Sequence, residues 1–312
     1  MNKSNKSENK NALIFLLIPT IMVILGYFLI EVPYPPYQTD IHLAQIPLFL
    51  GLILLFIGFV LNKDLIGKKL KIYGWLIFAF FWSRMPYFLY TSEDRDIFNA
   101  VVCIMGVFVL CYLAYHEWLS IKRKEDLSCL NWIAGASSIA GLIYFIIEMT
   151  PIKQNLINIV ASQSGALLNS ITGDVIINAP HIFYREAGVQ IIFACTAIQA
   201  MVVFVGMILA LSKITFNRKI SGLLITILPI YILNVGRNAL VIFLVGNKIT
   251  DFYMAHNVIT KIGALFVMIG LLLLLVKLIP EILDEILSIT ELPKRNGPLE
   301  KFISKTLFGK NK

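Results

Sequence analysis

The chain has 312 residues, of which 58% are hydrophobic and 15% charged, with a mean hydropathy of +0.78 and a formal net charge of +8. Soluble globular domains run at about 45–50% apolar and about 25% charged, so a soluble enzyme is excluded. The apolar residues come in runs of roughly 20, the length that crosses about 30 Å of hydrocarbon, and the sequence predicts an all-α, polytopic membrane helical bundle of about eight transmembrane helices.

In chain order the apolar windows fall near residues 12–30, 43–61, 72–90, 97–115, 130–148, 190–211, 220–245 and 257–279. Lys3, Lys6 and Lys10 precede the first run as they would a signal peptide. It lacks a small-residue cleavage site before EVPYPPYQTD, however, and reads as a retained span. Four segments and the N-terminus fall on one side of the bilayer: 62–71, 116–129, 212–219 and the C-terminal tail. Together with Lys277 at the end of the last run they hold 20 of the 27 Lys and Arg residues. The alternate loops hold Arg95, Lys153, Arg185 and Lys248. The positive-inside rule then makes both termini cytoplasmic and turns the 148–189 connection outward. This distribution also accounts for the net charge through membrane topology, so no nucleic-acid partner is expected.

The expected organisation is an N-terminal five-helix part (1–148), an extracytoplasmic cap (149–189), a three-helix core (190–280) and a basic cytoplasmic tail (281–312). Within the cap, KQNLINIVASQSGALLNSI sets Leu156, Ile159, Val160, Leu167, Leu168 and Ile171 at helical spacing, as in an interfacial amphipathic helix. Two short β-prone runs then flank a turn at Asn178, Ala179 and Pro180. The tail has a weak apolar spacing at Leu299, Phe302, Ile303, Leu307 and Phe308, read as lying on anionic lipid or disordered. Cys103, Cys111, Cys129 and Cys195 show no CxxC or His-Cys spacing, so no disulfide framework, metal site or cofactor is expected.

Ionisable residues inside spans cost at least about 2.5–3.5 kcal/mol and are candidate functional residues. Arg237, in LPIYILNVGRNALVIFLVG, is flanked by Asn234 three residues before it and Asn238 directly after it, amides placed to orient a guanidinium. Cys195 and Thr196 lie early in the run GVQIIFACTAIQAM, with Gln199 one helical turn beyond the cysteine. His256 opens the last run, in DFYMAHNVITK. The charge-derived topology puts Cys195, Arg237 and His256 in one outer layer on three successive helices. A cation stabilises a thiolate, and acyl transfer needs a donor for the developing oxyanion. Arg84, in FFWSRMPYFLY, is a candidate lipid contact beside a helix-kinking Pro86, and Tyr184 and Arg185 are candidate substrate contacts. Lys261 lies deeper than His256 and snorkels outward. His116 and His181 have no nameable partner.

At these residues the sequence resembles the exosortase/archaeosortase family of multipass membrane transpeptidases, the archaeosortases most of all. The resemblance rests on ACTAIQAM with Cys195, NVGRNALVIF with Arg237 and AHN with His256, in that order, and covers mainly residues 150–280. It implies a thiol protease/transpeptidase acting on surface-protein precursors that end in a short motif such as PGF, an apolar helix and a basic tail. An acyl-thioester on the cysteine passes the protein to a membrane lipid acceptor. By the same resemblance Cys195 is the nucleophile, Arg237 stands at the position often assigned as proton donor, and His256 at that of a transition-state stabiliser. Some archaeosortases have Arg at this third position, which leaves open which residue moves the proton here. Arginine, with a pKa above about 12, is a poor proton donor, whereas histidine titrates near neutrality. Chemistry therefore favours His256 for the proton and Arg237 for thiolate and oxyanion. The competing readings are an anion transporter or channel, and an intramembrane cysteine hydrolase that releases its product to water. The nearly wholly apolar inner stretches VVFVGMILAL and GLLITILPIYI offer a transporter no continuous polar path.

Overall fold

The computed structural model describes residues 3–28, 38–91 and 97–308; the loop at 29–37 and Arg95 lie outside the described residues. The chain divides into two compact units, Met1–Ser138 with Glu285–Lys312, and Ile139–Asp284.

The first unit contains α1 (Lys3–Phe28), α2 (Gln38–Val60), α3 (Leu65–Trp82), α4 (Met85–Thr91), α5 (Ile97–Arg123) and the start of α6 (Ser128–Met149). The third apolar window is not one helix. Pro86 has no N–H for the carbonyl of Trp82 and its ring crowds that carbonyl, so α3 ends at Trp82 and α4 restarts at Met85. Glycines bring α2 and α3 into close contact: a Cβ on Gly74 would stand 2.9 Å from the backbone nitrogen of Leu55, the small-residue packing that brings helices together in lipid.

The tail does not lie free. Part of α11 (Glu281–Thr290), a 3-10 turn at Leu292–Arg295 and α12 (Pro298–Phe308) belong to this unit, with Leu292 and Leu299 buried. The apolar spacing packs inward, with Leu299 and Ile303 against Tyr115 and Leu119, and polar pairing adds to it. The guanidinium of Arg295 donates to Glu125 at 2.6 Å, and Glu300 accepts from the hydroxyls of Tyr112 and Tyr115 at 2.8 and 2.9 Å. His116, fully buried, stands 3.2 Å from Glu300 and supplies the partner that was missing from the sequence reading. Burial pushes the Glu300 carboxyl up, but hydrogen bonds from His116, from its own backbone and from the two tyrosines together hold it below the usual carboxylate range.

The second unit holds the end of α6, α7 (Ile152–Thr172), a three-stranded antiparallel sheet, a 3-10 turn at Phe193–Thr196, α8 (Ile198–Leu209), α9 (Phe216–Gly246), a π-helical turn at Met254–Ile259 and α10 (Thr260–Leu278). The amphipathic helix forms as α7, but on a rotated face: Ile157, Val160, Ala161, Ser164, Gly165 and Leu168 are buried while Ile159, Leu167 and Ile171 are exposed. The small residues decide this, since a Cβ on Gly165 would come within 2.7 Å of Ile177 of the sheet.

The two β-prone runs form β1 (Val175–Asn178) and β2 (His181–Tyr184), paired with Asn178 opposite His181 across the expected turn. A third strand, β3 (Ala187–Gln190), pairs with β2 and is an edge strand in the order β1-β2-β3. Ile182, Tyr184 and Val189 of the sheet share one buried cluster with α7, with Ala239 and Ile242 of α9, and with Cys195.

Among the described residues four helices are long and apolar enough to cross a bilayer: Ile97–Arg123, Ser128–Met149, Phe216–Gly246 and Met254–Leu278, with shorter apolar stretches at Ile14–Tyr27, Gln45–Val60 and Ile198–Leu209. The architecture is an all-α membrane bundle carrying one small sheet. The apolar window at 190–211 differs from expectation: its first third is strand and turn, and α8 has 12 residues, about 18 Å at 1.5 Å per residue. Hydropathy sees the β-branched stretch VQIIF as apolar and is blind to its extended backbone.

Candidate active site

Cys195 sits in the 3-10 turn that joins the sheet to α8. The turn is closed by the amide of Cys195 donating to the Ile192 carbonyl at 2.8 Å and the Thr196 hydroxyl donating to the Phe193 carbonyl at 2.7 Å. Ala197 follows with φ 59° and ψ 9°, a left-handed conformation that costs a non-glycine residue about 1 kcal/mol or more and persists only where the surroundings enforce it. This break means Cys195 and Gln199 do not share a helical face, contrary to the spacing argument. Thr196 holds the turn, and Gln199 faces a cavity described below.

What enforces the turn is α9. Asn234 and Asn238 both donate their side-chain amides to the carbonyl oxygen of Cys195, at 2.7 and 3.0 Å, and both are at least nine-tenths buried. They clamp the backbone of the cysteine rather than the guanidinium they flank. Each donor satisfied in an apolar setting contributes about 1 kcal/mol, and a buried carbonyl left without one costs about 1–3 kcal/mol.

Arg237, between these asparagines on α9, is held instead by the start of α10. Its Nε donates to the Thr260 hydroxyl at 3.0 Å and its Nη2 to the His256 carbonyl at 3.4 Å, while Thr260 itself donates to that carbonyl at 3.0 Å. Among the described residues no carboxylate pairs with Arg237. Two of its five N–H donors are engaged, which leaves donors for a developing negative charge. His256 lies in the π-helical turn, its ring stacked on Phe252 with centroids 5.2 Å apart and planes 7° from parallel. Single-turn π-bulges recur at functional sites. The side chain of Asn257, in the AHN motif, lies outside the described residues.

A cavity of about 760 Å³ opens beside the turn, between α8, α9 and α10. Ala194 and Ala197 on either side of the cysteine line it, with Gln199, Asn234, Arg237 and Thr260, and the rest of its wall is apolar. The structure thus brings Cys195, Asn234, Asn238, Arg237 and the His256 backbone into one connected arrangement. Thr260 is the residue that sequence reasoning passed over. A threonine in an apolar helix gives no hydropathy signal, and only its position four residues after His256 marks it.

The remaining candidates stand elsewhere. Arg84 is in the first unit, at the break between α3 and α4, with its guanidinium 5.3 Å above the Phe81 ring. Tyr184 is buried, stacked on Phe243, and its carbonyl closes on α9 where a Cβ at Gly246 would lie 2.9 Å away. Arg185, at φ 53°, hydrogen-bonds the Asn247 side chain and stands over the Tyr184 ring at 5.2 Å. Both residues fasten the sheet to the end of α9.

Residues 67–276 match the model of the transmembrane exosortase family (Exosortase_EpsH). Archaeosortase A of Natronomonas pharaonis is 25% identical, over 72% of this chain and 81% of its own length, and archaeosortase A of Haloferax volcanii is 22% identical, over 71% and 84%. No solved structure matches the chain. With two thirds of its length in the family match and its cysteine, arginine and histidine gathered in one unit, this chain belongs to the transmembrane exosortase family, membrane transpeptidases that process C-terminal sorting signals.

Proposed function

We propose that the chain removes the C-terminal sorting signal of surface-protein precursors through an acyl-thioester on Cys195 and transfers the remainder to a membrane lipid, at the outer face of the cell membrane with both termini cytoplasmic. The observation that supports this most is the double clamp on the Cys195 carbonyl by Asn234 and Asn238, on the helix that carries Arg237 and in the unit where Thr260 ties Arg237 to His256. A buried carbonyl held by two amides fixes the direction in which the thiol projects, and orientation of a nucleophile is a large part of its rate.

In this reading the Cys195 Sγ gives up its proton to the His256 imidazole and attacks the carbonyl carbon of the scissile peptide. The oxyanion that forms takes the unused N–H donors of Arg237. As it collapses the C–N bond breaks, and the imidazolium returns its proton to the departing amine, which leaves with the apolar helix and basic tail. An amine or hydroxyl of the lipid then attacks the thioester carbonyl, loses its proton to His256 and restores the thiol. An imidazole can both accept and return a proton within one turnover, which suits both transfers. The precursor's short motif of the PGF kind and the chemistry of the lipid acceptor are part of this proposal.

The test is a reporter bearing such a C-terminal signal, expressed beside wild type or Cys195→Ala and followed by intact mass. A shortened, lipid-heavier reporter with wild type and an intact one with Cys195→Ala is the expected result. A shortened reporter without added mass would replace transfer by hydrolysis, and equal processing by both proteins would refute the thiol mechanism.

A further inference from the structure

A second cavity, of about 330 Å³, lies on the other flank of the cysteine turn, walled by Tyr144 and Glu148 of α6, Lys153 and Gln154 of α7 and the extended chain Gln190–Ile192. It shares one residue with the 760 Å³ cavity, Ala194, the immediate neighbour of Cys195. The two differ in chemistry. The outer one brings an acid, a base and two amides together, whereas among the described residues the larger has Arg237 as its one charged lining residue.

Glycines shape the larger cavity. Gly236 and Gly263 line it, and a Cβ built on either meets no atom within 4 Å. By contrast, a Cβ on Gly74 or Gly246 would collide with a neighbouring backbone. The absent side chains of Gly236 and Gly263 therefore serve no contact within this chain. A low floor of Ala200, Gly236, Gly263 and Ala264 between raised apolar walls is how one membrane helix admits another at close range. Val203, Leu233 and Leu240 along the walls stay exposed to an occupant.

Resting on the function proposed above, we propose that one precursor chain occupies both cavities. The residues before the scissile bond lie in the outer pocket, and the uncharged apolar helix after it lies in the groove of α8, α9 and α10, so the bond between them crosses Ala194 and Cys195. The match in charge favours a peptide of this pattern: a mixed polar pocket, then a groove free of charge below Arg237. The outer pocket's wall favours a peptide over a lipid. Gln190–Ile192 continues the edge strand β3 in extended form, and extended segments at sheet edges bind peptides through main-chain hydrogen bonds.

Two measurements on the full-length protein test this with a defined reporter precursor. Filling the groove by Gly263→Leu lowers the processing rate at least about ten-fold, an overpacking effect on the docked helix. Gly270→Leu, equally free of neighbours on the same helix but outside the cavity, leaves the rate within about two-fold. Photo-crosslinkers at Val203 and at Gln154 in Cys195→Ala protein capture the reporter on its apolar helix and on the residues before the cleavage site, respectively. Equal rates for the two glycine variants, crosslinks in the opposite order, or lipid alone captured at both positions would overturn the track while Cys195-dependent processing by wild type stands. Loss of that dependence would instead overturn the underlying function.

Discussion

The two amides on one carbonyl make a prediction about coupling. Asn234→Ala or Asn238→Ala removes one donor and leaves the Cys195 carbonyl a partner, at 3.0 or 2.7 Å respectively. A single lost hydrogen bond is worth about 1 kcal/mol, roughly a five-fold loss in processing rate if it acts wholly on the placement of the thiol. Removing both leaves the carbonyl of a buried residue without its two donors, and that adds a desolvation cost of about 1–3 kcal/mol. The double variant should then fall below the product of the single losses by a further factor of about 5 or more, the signature of neighbours that share an acceptor. The assay is single-turnover cleavage of the reporter, paired with the rate at which a water-soluble maleimide labels Cys195, which rises when the turn loosens. Losses that simply multiply, with labelling unchanged, would refute the shared clamp.

The other expectations rest on the remaining polar contacts. Thr260→Val, isosteric but without the hydroxyl, frees Arg237 from the His256 turn and should slow cleavage about ten-fold, with Thr260→Ser restoring most of it; equal rates for Val and wild type would remove Thr260 from the account. The rate should rise with pH through a limb that is lost in His256→Gln; a limb that persists there would assign the proton to another group. The folded-state pKa of Glu300 is depressed, so its stabilisation of the tail is present above the ordinary carboxylate value and is lost as pH falls through the folded one. Limited proteolysis should release the tail on acidification below the usual carboxylate range, and Glu300→Gln should release it at neutral pH without further acid dependence. The ion pair of Lys71 and Glu117, 2.7 Å apart with both side chains almost fully buried, predicts that Glu117→Ala costs about 3–5 kcal/mol whereas Lys71→Met with Glu117→Leu costs far less. Thermal unfolding in detergent measures both.

How much of this was legible in the sequence depends on what hydropathy can register. Arg237, Asn234 and Asn238 stand out because polar residues inside an apolar window are costly, and the charge bias of the loops predicts Cys195 and His256 on the same side of the bilayer. The β hairpin was marked by its turn residues. Backbone departures were hidden: the third strand, the 3-10 turn and left-handed Ala197 are spelled in residues that an apolar helix also uses. Partner identity was hidden wherever it is remote in sequence. The asparagines flank Arg237 in sequence, which points to it as their partner, yet their acceptor is the Cys195 carbonyl. His116 found its partner only when α12 returned Glu300 to α5.

The central claim is a covalent bond between Cys195 and the precursor. Its most direct measurement is the intact mass of the enzyme after rapid quench of a single turnover, taken before lipid attack is complete. The account predicts an enzyme heavier by the trimmed reporter, with the added mass released by hydroxylamine, as a thioester is, and absent from Cys195→Ala. An adduct that survives in Cys195→Ala, or cleavage of the reporter with no adduct in the wild type under conditions that slow the acceptor step, would contradict it.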